Sequence, residues 1–235
     1  MPSVSDRPTA LVTGASRGIG RAVARRLAAT HDIVAVARDA AELTALAREI
    51  EADGGRCEPL ALDVTDASAV AALRGRAVDV LVNNAGVGVL KPLLELTPEE
   101  WHRMVDVNVN ALYHVTRAVL PGMVARGRGH VVVVGSIAGR SAFVGGAGYA
   151  ATKHFAAGFA ESLMLEVRDA GVKVSVVSPG SVDTGFSGKA PGGRSGGRLD
   201  PDDVAAAVLA VVATPPEVLL HSVEVRILSP NRPRG

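Results

Sequence analysis

The stretch TALVTGASRGIG, residues 9–20, decides the fold that this sequence predicts. A short apolar run leads directly into a turn with glycines at positions 14, 18 and 20, and an amphipathic segment follows at residues 21–29. Glycine lets the backbone turn sharply and approach a bound group closely, and the start of a helix attracts negative charge. The stretch therefore predicts a strand, a tight turn and a helix whose N-terminus is suited to a pyrophosphate.

The glycine turn by itself leaves two interpretations open. Its Gly-x-x-x-Gly-x-Gly spacing differs from the standard Gly-x-Gly-x-x-Gly, and no Lys-Ser/Thr pair follows it as in a P-loop. A purely structural turn fits this spacing equally well. Its position between the first strand and the first helix of a chain that alternates strands and helices favours a dinucleotide site.

Outward from this stretch, short apolar runs alternate with longer helix-like segments, which is typical of a parallel sheet with crossover helices. The runs lack polar alternation, as in the four valines at 131–134, so both faces of the sheet should be covered. The predicted fold class is α/β, a single Rossmann-type doubly wound domain over residues 1–235 with helices on both faces. The predicted strands are residues 9–12, 33–37, 58–62, 78–82, 130–134, 172–177 and 223–227.

Composition excludes several classes of partner. The chain of 235 residues carries 25 Lys and Arg against 24 Asp and Glu, so its net charge of +1 creates no field for nucleic acid or an anionic membrane. One cysteine and six scattered histidines offer no metal-ligand spacing. The longest apolar run, residues 204–213, is about half of a membrane-spanning length, and the N-terminus lacks the apolar segment of a signal peptide. A cytoplasmic location is therefore expected.

The end of the second predicted strand indicates which nicotinamide cofactor would bind. An acid there accepts hydrogen bonds from the adenosine ribose diol of NAD(H), whereas a cation pairs with the 2'-phosphate of NADP(H). The strand ends at Ala37 and is followed by Arg38, and Arg17 in the glycine turn is a second cation. Asp39 could turn inward, and both arginines could be ordinary surface charges, but the pattern favours NADP(H).

Tyr149 and Lys153 are four residues apart at the start of a predicted helix, so their side chains share one face. Ser136 follows the fifth predicted strand, and the carboxyl ends of strands are where doubly wound sheets place their sites. Ser136 could hold a carbonyl oxygen while Tyr149 donates a proton to it, and the Lys153 ammonium would lower the pKa of the phenol. The other tyrosine, Tyr113, has Arg117 at the same offset, and an arginine cannot relay a proton.

Further motifs appear in a fixed order along the chain. Asp63 and Val64 follow the third predicted strand, an Asn-Asn-Ala-Gly motif occupies residues 83–86 after the fourth, and Pro-Gly-Ser-Val-Asp-Thr occupies residues 179–184 after the sixth. With the glycine turn and the Ser, Tyr and Lys positions, these motifs resemble the short-chain dehydrogenase/reductase family over essentially the whole chain. The resemblance implies a seven-stranded parallel sheet in the order 3-2-1-4-5-6-7.

The resemblance also implies an activity and a set of site residues. The activity is reversible NADPH-dependent reduction of a ketone or aldehyde to an alcohol, with Tyr149 as acid or base. The implied catalytic tetrad is Asn108, Ser136, Tyr149 and Lys153, in which Asn108 binds a water that links Lys153 to solvent. The cofactor-binding residues, from the resemblance and the motifs together, are Gly14, Ser16, Arg17, Gly18, Ile19, Gly20, Arg38, Asp63, Val64, Asn84, Ala85, Gly86, Tyr149, Lys153, Pro179, Gly180, Val182 and Thr184.

The sequence departs from the family pattern in its third helix and at its carboxyl end. The third helix, residues 67–76, is short, and the carboxyl end is similar to a branch that includes NADP-dependent 3-hydroxy acid dehydrogenases. A 3-hydroxy acid dehydrogenase or a 3-oxoacyl reductase is therefore the alternative function, and a non-catalytic NADP(H)-sensing protein is a more distant one. The family commonly forms tetramers and dimers, so a homotetramer or homodimer is expected through two long predicted helices, residues 98–123 and 148–170.

The substrate, a small carbonyl compound or alcohol, is not identified by the sequence. Val87, Ile137 and Phe143 are predicted to wall its pocket, together with a glycine-rich loop, residues 185–199, that is expected to be mobile. Three arginines could face an acidic substrate: Arg140, Arg194 and Arg198. The tail, residues 230–235, is expected to fray.

Overall fold

The computed structural model describes residues 7–186 and 197–228. Its centre is a parallel sheet of seven strands in the order β3-β2-β1-β4-β5-β6-β7, which confirms the predicted fold class and strand order. The strands are β1 Thr9–Thr13, β2 Asp32–Ala37, β3 Cys57–Ala61, β4 Val80–Asn83, β5 Gly129–Val134, β6 Val172–Pro179 and β7 Ser222–Val225.

Strand β1 lies in the middle of the sheet and pairs with β2 on one side and β4 on the other. Leu11 is opposite Val34 in β2 and Leu81 in β4. The order of the strands reverses here, because the chain winds outward to β3 and then returns to place β4 against the free side of β1. In doubly wound sheets, such a reversal leaves a crevice at the carboxyl ends of the two strands, and the glycine turn begins there.

Helices cover both faces of the sheet and produce two apolar cores. Along β1, Ala10 and Val12 belong to the core beneath one set of helices, and Leu11 belongs to the opposite core. The first set is α1 Gly18–Leu27, α2 Ala40–Ala52 and α7 Pro201–Val212. The second set includes α3 Ala67–Val70, α5 Ala111–Arg126 and α6 Ala147–Val167. This two-sided burial explains why the strands are apolar without alternation.

Helices α4 Pro98–Val105 and α7 both begin with a proline inside a capping box. The Thr97 side chain accepts a hydrogen bond from the Glu100 backbone, and the Glu100 carboxylate accepts one from the Thr97 backbone. Asp200 caps α7 in the same reciprocal manner. These contacts satisfy backbone N–H groups that the first helical turn leaves without partners, so the sequence fixes both starts locally.

Several element boundaries differ from the prediction. Helix α3 and the 3-10 turn after it end at Leu73 instead of residue 76, because Arg74 is extended and Gly75 has a φ of +74°. Strands β4 and β7 occupy residues 80–83 and 222–225, not 78–82 and 223–227. Val78 is fully buried in the core but precedes the strand. An apolar residue in the sequence indicates that its side chain is buried, but it does not show whether its backbone is hydrogen-bonded to a neighbouring strand.

The predicted loop and tail are only partly covered by the structure. Residues 187–196 of the predicted mobile loop, including Arg194, and residues 229–235 lie outside the described part of the chain. Among residues 7–186 and 197–228, no helix combines the length and apolarity that crossing a bilayer requires. Within the same ranges, no three His, Cys, Asp or Glu side chains converge as metal ligands.

Candidate active site

The glycine turn at the end of β1 leaves no space for larger side chains. Gly14 and Gly18 have φ angles of +66° and +55°, which side chains disfavour. A Cβ at position 20 would lie 2.2 Å from the Gly14 carbonyl oxygen and 2.5 Å from Nδ2 of Asn84. A Cβ at position 18 would lie 3.1 Å from Thr184. The turn is therefore packed between the ends of β1, β4 and β6.

The loop after β4 is attached to this turn by hydrogen bonds in both directions. The Thr13 hydroxyl accepts from the backbone nitrogens of Asn84 and Ala85 at 3.0 and 3.1 Å. In return, Nδ2 of Asn84 donates to the carbonyl oxygens of Thr13 and Gly14 at 2.9 and 3.2 Å. The first turn of α1 contains no acid, and the side chain of its N-cap residue, Arg17, makes no capping bond. The predicted pyrophosphate position is therefore rigid and keeps its electropositive character.

Two charged residues, Arg38 and Asp39, follow the end of β2 and differ in how firmly the chain holds them. Asp39 is the N-cap of α2 and accepts hydrogen bonds from the backbone nitrogens of Ala41 and Glu42, both at 3.1 Å. Its carboxylate is thus committed to the helix start. Arg38 exposes 72% of its side chain, and its Nη1 is 3.9 Å from Oδ2 of Asp63. Surface ion pairs of this length are weak, so Arg38 can turn toward an anion.

Asp63, which the resemblance assigns to the cofactor site, is held in one orientation. Its Oδ1 accepts from the backbone nitrogen and the hydroxyl of Thr65 at 2.9 and 2.8 Å. The backbone hydrogen bond from Thr65 is the main cause that lowers the pKa of Asp63, and Arg38 adds to it. Val64, the next residue, is buried. The pair is therefore a fixed carboxylate and a fixed apolar side chain at the end of β3.

Ser136, Tyr149 and Lys153 meet at the end of β5, as the sequence predicts. Ser136 follows Gly135, and its hydroxyl accepts a hydrogen bond from the Ala138 backbone at 3.1 Å. Tyr149 lies in the first turn of α6, and Lys153 follows one turn later. The Lys153 ammonium is buried, donates to the Val134 carbonyl oxygen at 3.1 Å and lies 5.9 Å from the centroid of the Tyr149 ring. Nζ retains further hydrogens for other partners.

Burial shifts the pKa values of Tyr149 and Lys153. Burial raises the pKa of Tyr149, and a hydrogen bond with the Ser136 side chain opposes that shift. Burial also lowers the pKa of Lys153 to about 8. The Lys153 ammonium bonds to the Val134 carbonyl oxygen. The pKa of the phenol lies above its ordinary value because of burial, and the prediction that Lys153 lowers it stays a prediction.

Asn108 occupies an irregular turn that the sequence did not predict. The expected continuous helix from Pro98 is interrupted by a π-helical turn, Asp106–Asn110, between α4 and α5. The Asn108 side chain accepts from the Val87 nitrogen and donates to the Val87 carbonyl oxygen, both at 2.8 Å. Nδ2 also donates to the Thr152 hydroxyl at 3.0 Å. Asn108 is therefore buried with its amide fully engaged.

These bonds connect the loop after β4 to the helix that carries Tyr149. The Thr152 hydroxyl, which accepts from Asn108, donates to the Tyr149 carbonyl oxygen at 2.8 Å. A Cβ at Gly86 would lie 3.4 Å from Oδ1 of Asn108 and 3.8 Å from Nζ of Lys153. Thr13 and Thr152 are positioning residues that the sequence reasoning missed, because their partners are distant in the chain.

Three loops surround Tyr149, and we name them the opening loops. They are residues 84–97 after β4, residues 135–146 after β5, and the loop after β6, of which residues 180–186 and 197–199 are described. The bridge between Val182 and Leu199 joins the two described parts of the loop after β6. Thr184 accepts a hydrogen bond from the Phe186 nitrogen at 3.3 Å. The backbone nitrogen of Gly180 donates to the carbonyl oxygen of Val225 at 2.8 Å, and this bond attaches the start of the loop after β6 to the end of β7.

The predicted pocket residues have mixed outcomes. Ile137 is half-buried next to Ser136, and Phe143 is more exposed. Arg140 donates to the Ser222 hydroxyl at 2.7 Å and lies 3.8 Å from Glu224. Arg198 pairs with Asp183 at 3.7 Å. Both arginines are thus paired with a carboxylate of the chain in this structure.

This fold and site define a member of the short-chain dehydrogenases. The family model described as short chain dehydrogenase matches residues 8–193, and the chain belongs to that family. The chain is therefore an oxidoreductase that acts on CH-OH or carbonyl groups.

Three relatives illustrate the similarity. The NADP-dependent 3-hydroxy acid dehydrogenase of Salmonella typhi is 37% identical over 232 residues, covering 91% of this chain and 92% of that protein. The 3-oxoacyl-(acyl-carrier-protein) reductase of Escherichia coli (strain K12) is 34% identical over 207 residues, covering 80% and 84%. A solved structure of the alcohol dehydrogenase from the archaeon Thermococcus sibiricus, complexed with 5-hydroxy-NADP, has a TM-score of 0.90 at 33% identity and covers 98% of this chain and 100% of that one.

Proposed function

We propose that this chain catalyses the reversible NADP(H)-dependent interconversion of an alcohol and a ketone or aldehyde. The convergence of Ser136, Tyr149, Lys153 and Asn108 beside the glycine turn carries the proposal. Single members of this set would suit a binding protein, but a protein that only senses NADP(H) has no use for all of them together.

The residues of the glycine turn fit a dinucleotide. A Cβ at position 20 would meet the Gly14 carbonyl oxygen, and one at position 18 would meet the Thr184 side chain, so only glycine lets the turn pack this closely. The backbone around residues 16–20 would hold the pyrophosphate, and Asp63 and Val64 would border the adenine. Asn84, Ala85 and Gly86 would line the nicotinamide ribose, with Pro179, Gly180, Val182 and Thr184 beside the nicotinamide. When bound, the nicotinamide supplies or accepts a hydride.

The side chains at the end of β5 would handle the proton. The Ser136 hydroxyl would hold the substrate oxygen, and the Tyr149 hydroxyl would donate a proton to it during reduction or remove one during oxidation. The buried Lys153 ammonium would contact a ribose hydroxyl and stabilise the phenolate as it forms, using hydrogens that Val134 does not occupy. Asn108 would complete a path from Lys153 to solvent through a bound water.

Asn108 would act through its position in the π turn. Its side-chain amide is engaged by Val87 and Thr152, so a water would be bound chiefly by the backbone of this turn. A π-helical turn shifts the hydrogen-bond register and leaves a carbonyl oxygen without its usual partner. The side chain would then serve to hold the turn in place.

NADP(H) is the proposed cofactor in preference to NAD(H). Ala37 occupies the position where an acid would bind a ribose diol. Asp39 caps α2 with its carboxylate, and Arg38 is exposed and weakly paired with Asp63. Relatives with NADP in their names or complexes support the same choice. Arg17 would reach the 2'-phosphate from the glycine turn.

The direct test is an assay of the purified chain with NADPH against a panel of ketones, aldehydes and 3-oxo esters, following the loss of NADPH absorbance. We expect turnover of at least one member of the panel. NADPH binding by a well-folded protein with no turnover of any member would favour the sensing alternative. Preference for 3-hydroxy acids or 3-oxoacyl thioesters would favour the activity in the names of the two curated relatives.

We also propose a homotetramer or homodimer assembled through α5 and α6. Both helices carry large apolar side chains that solvent reaches, Tyr113 and Val124 on α5 and Phe155 and Leu165 on α6. Helix faces of this kind usually pack against another surface. Light scattering after size-exclusion chromatography tests this, and a monomer at micromolar concentration would contradict it.

The proposed location is the cytoplasm, with no nucleic-acid or membrane partner. The net charge of +1 supports the absence of both partners. Cys57 is a buried free thiol, which fits a reducing compartment.

A further inference from the structure

The side chain of Phe186 lies directly against the ring of Tyr149. The two rings meet edge to face, with centroids 5.6 Å apart and planes at 60°. Aromatic pairs of this geometry are stabilised beyond the apolar area that they bury. The carbonyl oxygen of a substrate must come within hydrogen-bond distance of the Tyr149 hydroxyl to receive its proton. Any atoms that the substrate carries on this side of the phenol therefore meet the Phe186 ring.

Gly88, in the loop after β4, leaves room for the ring of Phe186. A Cβ at position 88 would lie 2.4 and 2.8 Å from Cε1 and Cζ of Phe186, and 3.2 Å from Cδ2 of Tyr149. The φ angle of Gly88 is not positive, so a larger residue is excluded by the position of the ring and not by the backbone conformation. The Phe186 ring is thus packed against both the backbone of Gly88 and the ring of Tyr149.

The backbone of Phe186 is attached to the predicted cofactor site. Its nitrogen donates to the Thr184 hydroxyl at 3.3 Å. The Thr184 side chain in turn packs against the glycine turn, since a Cβ at Gly18 would lie 3.1 Å from Cβ and Cγ2 of Thr184. The hydrogen bond comes from the backbone of Phe186, so a substitution that removes only the ring preserves this attachment.

We infer that Phe186, packed on Gly88, limits the size of the group that the substrate can carry beside Tyr149. The inference rests on the proposed function. The ring cannot recede toward Gly88, because it already contacts the backbone there, and turning outward would cost its contacts with Gly88 and Tyr149. A pocket whose wall cannot recede discriminates against a single extra methylene by roughly tenfold or more. Phe186 and Gly88 are therefore specificity-determining residues.

The experiment uses ketones with two identical arms, so that the orientation in which they bind does not matter. The purified wild-type enzyme and Phe186→Ala are assayed with NADPH against acetone, 3-pentanone and 4-heptanone. We expect the ratio of kcat/KM for 4-heptanone to that for acetone to rise about tenfold in Phe186→Ala, with a smaller rise for 3-pentanone. The Kd for NADPH should stay within about twofold of wild type, because the backbone bond to Thr184 remains.

Gly88→Ala tests whether the position of the ring sets the limit. The added Cβ forces the Phe186 ring from its place, so the ratio for 4-heptanone to acetone should change by about threefold or more. When Gly88→Ala is combined with Phe186→Ala, the ring is absent, and the ratio should stay within about twofold of that in Phe186→Ala alone. Comparing ratios cancels any loss that the new methyl group causes at Tyr149, since both ketones use the same phenol.

Phe155→Ala is the matched control. Phe155 is 39% exposed, against 38% for Phe186, but it lies on α6 and stacks on Phe159, with ring centroids 5.8 Å apart. Its replacement removes an equally exposed ring from another aromatic pair. The ratio for 4-heptanone to acetone in Phe155→Ala should therefore stay within about twofold of wild type.

The failures can be separated. An unchanged or smaller ratio in Phe186→Ala would overturn the inference and leave the proposed function intact. A Gly88→Ala effect of equal size with and without the ring, or an equal rise in Phe155→Ala, would have the same meaning. So would a protein that reduces other carbonyl compounds but none of the three ketones, with or without the ring. Reduction of no carbonyl compound by a folded protein that binds NADPH would overturn the proposed function and the inference with it.

Discussion

Lys153 and Lys173 lie at opposite ends of the sheet, and their surroundings differ. Nζ of Lys173, at the start of β6, is within hydrogen-bond distance of four acceptors at the end of α7: the carbonyl oxygens of Thr214, Pro215 and Val218 and the hydroxyl of Thr214. Nζ of Lys153, past the end of β5, has one such acceptor among the described residues, Val134. Burial lowers the pKa of both.

The same difference extends to their neighbours. At the start of β5, the buried His130 side chain is hydrogen-bonded through Nε2 to the Ser175 hydroxyl on the neighbouring strand β6, at 2.8 Å. At the end of β5, Ser136 and Tyr149 face the opening loops. A cation whose hydrogens are all bonded to acceptors of the chain supports structure, whereas one with hydrogens to spare is available to a ligand or a reacting group.

The largest expected effect is at the open end. Tyr149→Phe removes the proton donor and keeps the ring against Phe186, so kcat should fall about a thousandfold or more while NADPH binding is retained. Initial rates and a fluorescence titration with NADPH measure the two quantities. Tyr113→Phe is the matched control and should behave as the wild type. Wild-type turnover in Tyr149→Phe would remove the phenol from the mechanism.

The two lysines should separate activity from stability. Lys153→Met should lower kcat about a hundredfold with little change in the urea midpoint, because it removes a charge that acts on the phenol. Lys173→Met should keep kcat and lower the free energy of unfolding by about 2 kcal/mol, since its carbonyl partners lose their donor. The opposite pattern of rates and urea midpoints would contradict the comparison.

Asn108 and Asn110 share one π turn and test its role more finely. Asn108→Ala breaks the bonds to Val87 and Thr152 and should lower kcat about tenfold, with a Kd for NADPH within about twofold of wild type. Asn110 is exposed, and its side chain donates to Asp106 at 2.9 Å with no further partner among residues 7–186 and 197–228, so Asn110→Ala should have little effect. Unchanged kcat in Asn108→Ala would exclude it from the mechanism.

Cofactor choice is expected to depend on Arg38. Arg38→Ala should lower kcat/KM for NADPH about tenfold and leave that for NADH nearly unchanged, because only NADPH carries the 2'-phosphate. Asp39→Ala should destabilise α2 without increasing the use of NADH, since this carboxylate caps the helix. A wild-type preference for NADH would refute the assignment directly.

The smallest expected effect is the pH response at the opposite end. Burial lowers the pKa of His130 from 6.5 to about 4, so between these values the unfolded chain binds a proton that the folded chain does not. The free energy of unfolding should therefore fall by about 1 kcal/mol between pH 7.5 and 5.5. His130→Gln should reduce this slope in urea titrations, while His154→Gln on the surface should retain it.

The sequence predicted those parts of the site that lie on one element or at its end. The glycine turn, Ser136 and the Tyr149–Lys153 pair follow from local spacing, whereas the order of the strands around them came from the resemblance to the family. The π turn at Asn108 and the hydrogen bonds of Thr13 and Thr152 could not be predicted, since they depend on partners 21 to 72 residues away.

Burial and charge pairing were also beyond the sequence. The raised pKa of Tyr149 arises from how deeply α6 packs, which no motif records. Arg140 and Arg198 looked available in the sequence, but the structure pairs them with Glu224 and Asp183 from other segments. The sequence therefore identified individual residues of the site more readily than the burial and ion pairing that set their charges.

The π turn has a consequence for insertions and deletions. An α-helix advances by about 100° for each residue, and a π-helical turn amounts to one extra residue in an otherwise α-helical segment. Because the wide turn takes up this extra residue, removing a single residue between 106 and 110 would let α4 and α5 join as one continuous α-helix with their apolar faces still in register. Asn108 would then move away from Val87, so the site would lose this contact although the packing of the two helices remained. The site should therefore tolerate most single substitutions in this turn better than the loss of one residue.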